Sequence, residues 1–304
     1  MRSPTIRRLI EQVYAQVPLK RPVFEAVRRA VRLPRRLTSH LRFQGPFTVR
    51  IDGIHRFRLE HWGYAMENDL FWNGFGNGYE GTSLQIWRRL APHARVILDV
   101  GANTGIYALV ARCVNQRATV IAVEPVERVF HRLQRNVELN GGNVTLEKLA
   151  ASDTTGQAVI YDRPADHELT ASLDPLMDEY CGGGGVEYTV PTKRLDDLLS
   201  GAGLRSIDLI KIDVELFEPQ VLLGMGAFLS NCRPALLVEV LNEAVAREVN
   251  DITRDLGYNI FRVVEQRGLV RVSHVEVTEL KERNYLFAQD EIVKASNIRD
   301  FVVQ

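Results

Sequence analysis

One segment, from Val96 to Arg112, constrains the fold of this chain more than any other. It has the sequence VILDVGANTGIYALVAR. An apolar run containing Asp99 is followed by a turn bounded by Gly101 and Gly105, after which a helix-like apolar pattern begins. A strand, a tight glycine turn and a helix in this order bring backbone N–H groups and a helix N-terminus toward a ligand. The segment therefore predicts an α/β fold with a ligand site at the turn.

The spacing within the turn indicates which ligand it serves. A dinucleotide-binding loop has the pattern G-x-G-x-x-G, and here Asn103 stands in place of the middle glycine. A P-loop has Lys and then Ser or Thr after its last glycine, whereas Ile106 and Tyr107 follow here. Asp99 would repel a phosphate, but it suits the ammonium and sulfonium groups of S-adenosylmethionine (SAM). The pattern D-x-G-x-x-x-G therefore favours a SAM site.

A second acid follows the next predicted strand. Residues 118–125 read ATVIAVEP, a nearly continuous apolar run that ends at Glu124. An acid at this place can accept hydrogen bonds from both ribose hydroxyls, in NAD and SAM sites alike. The alternative is a solvated acid near a helix start, where it meets the helix dipole favourably. The position after a glycine loop and a strand favours ribose binding.

Apolar runs of strand length alternate with helical patterns from Arg95 onward. Predicted strands are Val96–Val100, Thr119–Val123, Val144–Leu149, Leu209–Ile212 and Ala235–Val240. Predicted helices cover roughly 105–114, 126–140, 216–230 and 241–256. Such alternation indicates βαβ units and a parallel sheet covered on both faces. Residues 156–191 interrupt it, and with their glycine run Gly182–Gly185 they predict an inserted hairpin with a mobile tip near the pocket mouth.

The fourth predicted strand carries the candidate catalytic residues. Residues 207–219 read IDLIKIDVELFEP and place Asp213 and Glu215 at the carboxyl end of a buried strand, where α/β sheets bind ligands. Residues two apart on an extended chain share a face, so both carboxylates are expected in one cleft. Either would accept a proton or hold a cation during methyl transfer to oxygen. The alternative places Glu215 at a helix N-terminus and Asp213 in a structural hydrogen bond.

Further polar residues are weaker candidates. Asp153 follows the third strand, where an acid can accept from the adenine amino group, although Asp-Thr-Thr-Gly is also good turn chemistry. Glu239 and Asn242 follow the fifth strand and would join Asp213 as ligands for a divalent ion such as Mg²⁺, with structural roles as the alternative. His167, in the inserted segment, is a candidate base or an exposed side chain.

An aromatic and glycine-rich stretch precedes the predicted sheet. It runs from Trp62 to Trp87 and suggests a cap beside the ligand pocket, or a loop-rich segment that packs aromatic rings onto the core. Within it, Glu80 and Thr82 are candidates for binding the amino-acid end of SAM.

Composition and charge narrow the protein class. The chain has 304 residues and a formal net charge of zero, which argues against a protein devoted to nucleic acid. No apolar run reaches the length of a membrane span, and no signal peptide is apparent. The cysteines Cys113, Cys181 and Cys232 form neither a close pair nor a metal-binding spacing. A cytoplasmic protein is the expectation from these features.

The first fifty residues are rich in arginine and poor in acids. Apolar residues recur there at helical spacing, at Ile6, Leu9, Ile10, Val13 and Val17 and again at Val23, Val27 and Val31. This predicts two short amphipathic helices broken near Pro18 and Pro22. A basic amphipathic helix can lie on an anionic membrane surface, and the alternatives are packing on the chain's own domain or on a partner subunit.

Taken together, the motifs resemble those of the FkbM family of SAM-dependent methyltransferases. The resemblance covers roughly Glu80 to Ala288 and rests on LDVGANTGIYALVA, AVEPVERVFHRLQRNVELN, LAASDTTG, RLDDLL, DLIKIDVELFEPQVLLG, PALLVEV and NYLF. It implies a class I, Rossmann-like α/β fold: a mostly parallel seven-stranded sheet with one antiparallel strand and helices on both faces. Residues 1–80 would then be an N-terminal helical and β extension, and 81–304 the methyltransferase domain.

The resemblance also assigns roles to residues. It places Asp99, Gly101, Asn103 and Gly105 around SAM, Glu124 at the ribose, Asp153 at the adenine, and Asp213 with Glu215 at the floor of the cleft. One position departs from the pattern, because Leu216 stands where the family usually has glycine after D-V-E. A side chain there is expected to narrow or reshape the acceptor pocket.

The expected function is O-methylation of a hydroxyl on a sugar, a glycan or a natural product, with a small-molecule or carbohydrate acceptor as the partner.

Three alternatives remain from the sequence. A nicotinamide-dependent oxidoreductase would share the loop and Glu124, but the absence of the middle glycine argues against it. A nucleic-acid methyltransferase would use the basic N-terminal segment, but no N/D-P-P-Y/F motif is present. A SAM-binding protein without catalytic activity results if Leu216 blocks the acceptor site. The sequence leaves the oligomeric state open.

Overall fold

The computed structural model describes residues 19–78, 80–162, 171–172, 186–278 and 282–303. The helices are α1 (Lys20–Ala30), α2 (Arg35–Thr38), α3 (Ala65–Asn73), α4 (Gly81–Leu90), α5 (Ile106–Val114), α6 (Glu127–Glu138), α7 (Leu195–Gly201), α8 (Glu218–Gly224), α9 (Ala227–Cys232), α10 (Glu243–Thr253) and α11 (Asp290–Ala295). Short 3₁₀ helices cover Ala91–His93, Arg254–Leu256 and Ile298–Phe301.

The strands form three sheets. They are β1 (Gly45–Arg50), β2 (Arg56–His61), β3 (Val96–Val100), β4 (Thr119–Val123), β5 (Thr145–Glu147), β6 (Ala150–Ser152), β7 (Gly156–Asp162), β8 (Ala171–Ser172), β9 (Val186–Arg194), β10 (Leu209–Ile212), β11 (Ala235–Glu239), β12 (Asn259–Val264), β13 (Gly268–Val272) and β14 (Asn284–Ala288). The largest sheet has the order β5-β4-β3-β10-β11-β14-β12-β13, and β1 pairs with β2 in a separate hairpin.

The large sheet is the class I methyltransferase arrangement with one strand added. Strands β5, β4, β3, β10 and β11 pair in parallel, and β14 lies antiparallel between β11 and β12. The expectation of seven strands with one antiparallel is wrong in number, because β13 forms a tight hairpin with β12 and runs in the direction of β14. The hairpin is closed by the Arg267 N–H, which donates to the Val264 carbonyl at 3.0 Å.

Local apolar runs predicted most central strands well. β3, β4 and β10 have the expected bounds, and β11 ends one residue early. The predicted strand Val144–Leu149 is shortened to β5, which pairs with β4, and β6 follows it and joins a second sheet of order β6-β9-β7-β8. The helix predicted at 216–230 is two helices, because the chain breaks at Gly226, whose φ is 51°.

The interruption at 156–191 contains the long hairpin of β7 and β9, paired from Gly156–Thr192 to Asp162–Val186. His167, Cys181 and the glycine run lie outside the described residues.

Two apolar clusters cover the faces of the large sheet, and the N-terminal elements contribute to one of them. Phe43, Phe47 and Phe71 stack there, and Phe24 of α1 lies 5.3 Å from Trp72 between ring centroids. Helix α1 confirms the predicted helix around Val23 and Val27. The predicted break near Pro22 is wrong, because Pro22 lies in the first turn of α1, where no N–H donor is needed. The apolar positions between Ile6 and Val17 lie outside the described residues. Within the part of the chain that the structure describes, no helix is both long and apolar enough to cross a membrane.

Candidate active site

The glycine loop after β3 is packed directly against the end of β10. The N–H groups of Gly101 and Ala102 both donate to the Val123 carbonyl at 3.0 Å, which holds the loop over the sheet edge. Gly101 has a φ of 75°, and a Cβ there would collide with the carbonyl oxygen of Asp213. Glycine is therefore required by both conformation and space.

The remainder of the loop leads into α5. Gly105 has a φ of 88° at the start of this helix, and a Cβ there would collide with Leu133. Asn103 is left-handed, with a φ of 51°, and its N–H donates to Glu124 Oε2 at 3.0 Å. Its buried Oδ1 has no hydrogen-bond partner among the described residues. A buried acceptor left open in such a loop fits a ligand that donates hydrogen bonds.

Asp99 is fully buried behind the loop. Its Oδ2 accepts from the Ala108 N–H in the first turn of α5 at 2.8 Å. Burial raises its pKa to about 7, with the charges of Asp213 and Glu80 contributing in the same direction. Asp99 thus holds the helix that carries the loop, and its contact with the methyl donor stays a prediction.

Glu124 occupies the end of β4 beside the loop. Its Oε2 accepts from Asn103 N–H and its Oε1 accepts from Val126 N–H at 2.9 Å. Burial raises its pKa to about 7. Each carboxylate oxygen has two lone pairs, so one remains on each for the two ribose hydroxyls. The loop and Glu124 therefore fit SAM, whose binding by these residues stays a prediction.

A lysine at the centre of the site was missed by the sequence analysis. Lys211 lies in β10 with its side chain 1% exposed, and its Nζ is 3.0 Å from Asp213 Oδ2. The ammonium also lies 5.3 Å from the Tyr107 ring centroid. Burial would lower the pKa of Lys211, but the charges of Asp213, Glu80 and Glu239 outweigh it and raise the pKa above its usual value. The signal that could have identified it is a lysine within the apolar run LIKI.

Glu80 connects two further elements to this centre. It precedes α4 with a left-handed φ of 51°. Its Oε2 accepts from the Tyr107 hydroxyl at 3.0 Å, and its Oε1 accepts from Asn284 Nδ2 at 3.3 Å. Burial raises its pKa. Asn284 lies opposite Glu239 in the pairing of β11 with β14, and its buried Oδ1 has no partner among the described residues.

Thr82 lies two residues after Glu80, in the first turn of α4, and its hydrogen-bond partners are structural. Its hydroxyl accepts from the Gln266 N–H at 2.8 Å, and its own N–H donates to Glu265 Oε2 at 2.7 Å. These bonds fix the start of α4 to the turn between β12 and β13. The proposed contact of Thr82 with SAM stays a prediction.

Three carboxyl groups meet at the carboxyl ends of β10 and β11. Asp213, Glu215 and Glu239 each place an oxygen within 4.8 Å of the others. Burial and the charges of Asp213 and Glu215 raise the pKa of Glu239 well above its usual value. Burial would also raise the pKa of Asp213, but the Lys211 charge and a hydrogen bond donated by Glu239 lower it. Burial, followed by the charge of Asp213, raises the pKa of Glu215 to about 8.

The sequence-predicted metal ligands are only partly brought together. Asp213 and Glu239 are in the cluster, but Asn242 caps α10, and its Oδ1 accepts from the Val245 N–H at 2.9 Å. Among the described acidic, histidine and cysteine residues, Glu215 lies with Asp213 and Glu239 and would join them around a cation, while the cation contact of Asn242 stays a prediction. Asp153 Oδ1 accepts from the Ser152 hydroxyl at 3.1 Å, and its adenine contact stays a prediction.

The turn after Asp213 has an unusual backbone. Glu215 and Leu216 are both left-handed, with φ of 54° and 78°. The Leu216 side chain is 8% exposed and belongs to the apolar cluster on this face of the sheet. A leucine in this conformation carries strain of roughly 1–2 kcal/mol. Leu216 therefore packs in the core and forms part of the turn that carries Glu215.

This backbone strain predicts an unusual order of stability among variants of Leu216. We expect both Leu216→Ala and Leu216→Gly to lose stability, by roughly 2–4 kcal/mol, because a buried side chain is removed. The glycine variant should nevertheless be the more stable of the two by about 1 kcal/mol, since glycine relieves the left-handed strain that alanine keeps. Urea unfolding of the three proteins measures this order. An alanine variant at least as stable as the glycine variant would contradict it.

A comparison with protein-family models matches residues 99–286 to the methyltransferase FkbM domain. The chain belongs to the FkbM methyltransferase family. This confirms the resemblance seen in the sequence, and with it a class I SAM-dependent methyltransferase domain. The oxidoreductase alternative is not supported.

Several curated methyltransferases are similar to part of the chain. The 31-O-demethyl-FK506 methyltransferase FkbM of Streptomyces tacrolimicus is 29% identical over 43% of this chain and 59% of its own length. The 2-O-methyltransferase NoeI of Sinorhizobium fredii is 31% identical over 45% of this chain and 60% of its own. The hexuronic acid methyltransferase AglP of Haloferax volcanii is 26% identical over 55% of this chain and 70% of its own. The chain thus spans about three fifths of the first two relatives.

Proposed function

We propose that this FkbM family member is a SAM-dependent O-methyltransferase whose acceptor is a hydroxyl of a sugar, a glycan or a natural product. The names of the relatives support this, since FkbM acts on a demethylated FK506 and AglP on a hexuronic acid. The observation that carries the proposal is the group of three carboxyls beside Lys211 and next to the glycine loop, in which Glu239 is buried and Asp213 and Glu215 are half-buried. It supplies a proton acceptor close to the place assigned to the methyl donor.

The loop and its neighbours would hold SAM. Glu124 would accept from the ribose hydroxyls, and the open Oδ1 of Asn103 would accept from a further donor of the ligand. The packing of Gly101 on the Asp213 backbone keeps the loop and the carboxyl group together. When bound, SAM supplies an electrophilic methyl group on a sulfonium.

Glu215 is the proton acceptor in this proposal. Methyl transfer forms a C–O bond to the acceptor and breaks the C–S bond, and the hydroxyl proton must leave. The Asp213 carboxylate is held by Lys211 and by the proton that Glu239 donates, so it is engaged on both sides. A general base works best with a pKa near the working pH, and the pKa of Glu215 is raised to about 8. Glu215 would therefore take the proton, with Asp213 and Lys211 positioning it.

The same three carboxyls are the residues that would hold a divalent cation such as Mg²⁺, because hard cations take carboxylate oxygens. Lys211 already supplies a positive charge beside Asp213. We therefore propose that Glu215 takes the proton without a cation, so that turnover continues in the presence of EDTA. A loss of turnover in EDTA that Mg²⁺ restores would assign the three carboxyls to a cation instead.

Glu215→Gln tests the assignment. We expect kcat to fall by about 100-fold or more, because a positioned base contributes on the order of 10²–10⁴. The affinity for SAM should change little, since Glu124 and the loop are intact. Turnover is measured with tritiated SAM on a panel of hexuronic acid glycosides and polyketide alcohols. Glu243→Gln, at an exposed acid in the first turn of α10, is the matched control.

The pH profile of the wild type is the second measurement in this test. Glu215 acts only when it is deprotonated, and its pKa is raised to about 8. Turnover should therefore rise with pH through about 8, whereas an ordinary glutamate would reach its plateau below about pH 6. A wild type with a flat profile, or a Glu215→Gln variant that keeps full turnover, would contradict the assignment. SAM binding without turnover on every acceptor would favour a non-catalytic SAM-binding protein.

A further inference from the structure

Helix α1, the first helix that the structure describes, presents apolar side chains to solvent at helical spacing. Val23, Ala26 and Ala30 are exposed and follow each other by three and four residues, which places them on one face of α1, and the exposed Leu19 directly precedes the helix. Leu19 is 72% exposed and Val23 54% exposed. A solvent-facing helix side is normally polar, so this face indicates a contact beyond the chain's own core.

The opposite side of α1 is anchored to the protein. Phe24 packs against Phe43 and Trp72, and Arg28 donates to the Phe71 carbonyl at 2.6 Å while its guanidinium lies 4.1 Å from the Phe71 ring centroid. The orientation of α1 is thereby set, and its apolar face is turned outward by these contacts.

Basic residues surround the exposed apolar face. Residues 19–42 contain eight lysines and arginines against one acid, Glu25, although the whole chain has no net charge. Glu25 is engaged by Arg21 at 3.1 Å. Val31 and Leu37 continue the exposed apolar set beyond the helix, at 56% and 55% exposed. We define the N-terminal surface as Leu19, Val23, Arg29, Val31, Arg32, Arg36 and Leu37.

We propose that the N-terminal surface docks this methyltransferase onto an anionic lipid bilayer. Apolar side chains that enter the headgroup boundary, together with arginines that meet anionic lipids, are the two signals that stable interfacial binding needs. The charge of the surface is complementary to such a bilayer. The apolar members distinguish this partner from a nucleic acid, which arginines alone would serve.

Vesicle sedimentation of the full chain tests this. The wild type should pellet with vesicles of phosphatidylcholine containing phosphatidylglycerol and remain in solution with phosphatidylcholine alone. Arg29→Gln, Arg32→Gln and Arg36→Gln combined should weaken binding about 100-fold, since each arginine near the surface contributes about tenfold or less. Val23→Ser with Val31→Ser should weaken it about tenfold without any change of charge.

Matched controls lie elsewhere on the chain. Ile54→Ser removes an apolar residue that is 86% exposed, and Arg117→Gln, Arg205→Gln and Arg247→Gln remove three exposed arginines. Both controls should bind vesicles as the wild type does. Equal loss in the controls, or equal binding of the wild type to both vesicle types, would overturn the proposal.

The same variants distinguish the bilayer from two other kinds of partner. If the arginine variant loses binding to an oligoribonucleotide while Val23→Ser with Val31→Ser changes neither RNA nor vesicle binding, the surface is a nucleic-acid site and the proposal fails. If the wild type is a dimer without vesicles and the valine variant is a monomer, the face is an interface between copies, and the proposal fails likewise.

Discussion

Gly101→Ala should abolish measurable SAM binding and lower the free energy of unfolding by about 3 kcal/mol or more. A left-handed backbone costs alanine about 1 kcal/mol relative to glycine. At this position the added Cβ also collides with the carbonyl oxygen of Asp213, which is backbone and cannot rotate away. The loop must then leave the end of β10, and Asn103 and Glu124 separate with it.

Gly142→Ala is the matched control for this variant. Gly142 has a φ of 72°, close to the 75° of Gly101, but a Cβ there meets nothing within 4 Å. It should lose only the strain of about 1 kcal/mol and keep SAM binding. Urea unfolding and calorimetric titration with SAM measure both quantities. Equal losses of stability in the two variants would show that the contact with Asp213 has no energetic importance.

Lys211→Met should destabilise the protein by roughly 3–5 kcal/mol at neutral pH. Methionine fits the volume of the lysine stem, but it leaves the half-buried Asp213 beside the buried Glu80 and Glu239 without the ammonium that compensates their charge. Lys148→Met is the control, since it removes a lysine paired with Glu127 at the surface and should change stability by less than about 1 kcal/mol. Urea unfolding measures both.

The destabilisation by Lys211→Met should depend on pH in a defined direction. In the wild type the pKa of Asp213 lies below its ordinary value of 3.8. Stabilisation by this pair is therefore complete above pH 3.8 and is lost as the pH falls through the lower, folded-state pKa. The difference between variant and wild type should shrink in acid and be full at pH 7. A difference that is independent of pH would indicate lost packing rather than an uncompensated charge.

The sequence predicted the parts of the site that are local along the chain. Asp99 lies within β3, the glycines come just after it and Glu124 directly follows β4, so apolar periodicity and turn chemistry were enough to place them. The partners that arrive from distant segments were missed. Asn284 reaches Glu80 only because β14 inserts antiparallel beside β11, and Glu265 reaches Thr82 only through the β12–β13 hairpin.

Asn242 and Leu216 show which structural roles spacing along the chain does not reveal. Asn242 follows a strand at the right distance for a ligand, but a helix start uses the same oxygen as its cap. Leu216 stands where a pocket was expected, yet its side chain lies in the core, and a single sequence carries no signal for its left-handed backbone. Both outcomes depend on backbone geometry that periodicity does not report.

The contact between Gly101 and the Asp213 carbonyl has a consequence for how such an enzyme diversifies. It joins two main-chain segments, so no side-chain substitution at the acceptor end adjusts the spacing between the cofactor loop and β10. We therefore expect new acceptors to be accommodated by changes in the elements around this pair rather than in the pair itself. The backbone would thus keep the distance between the glycine loop and β10 constant while the acceptor changes.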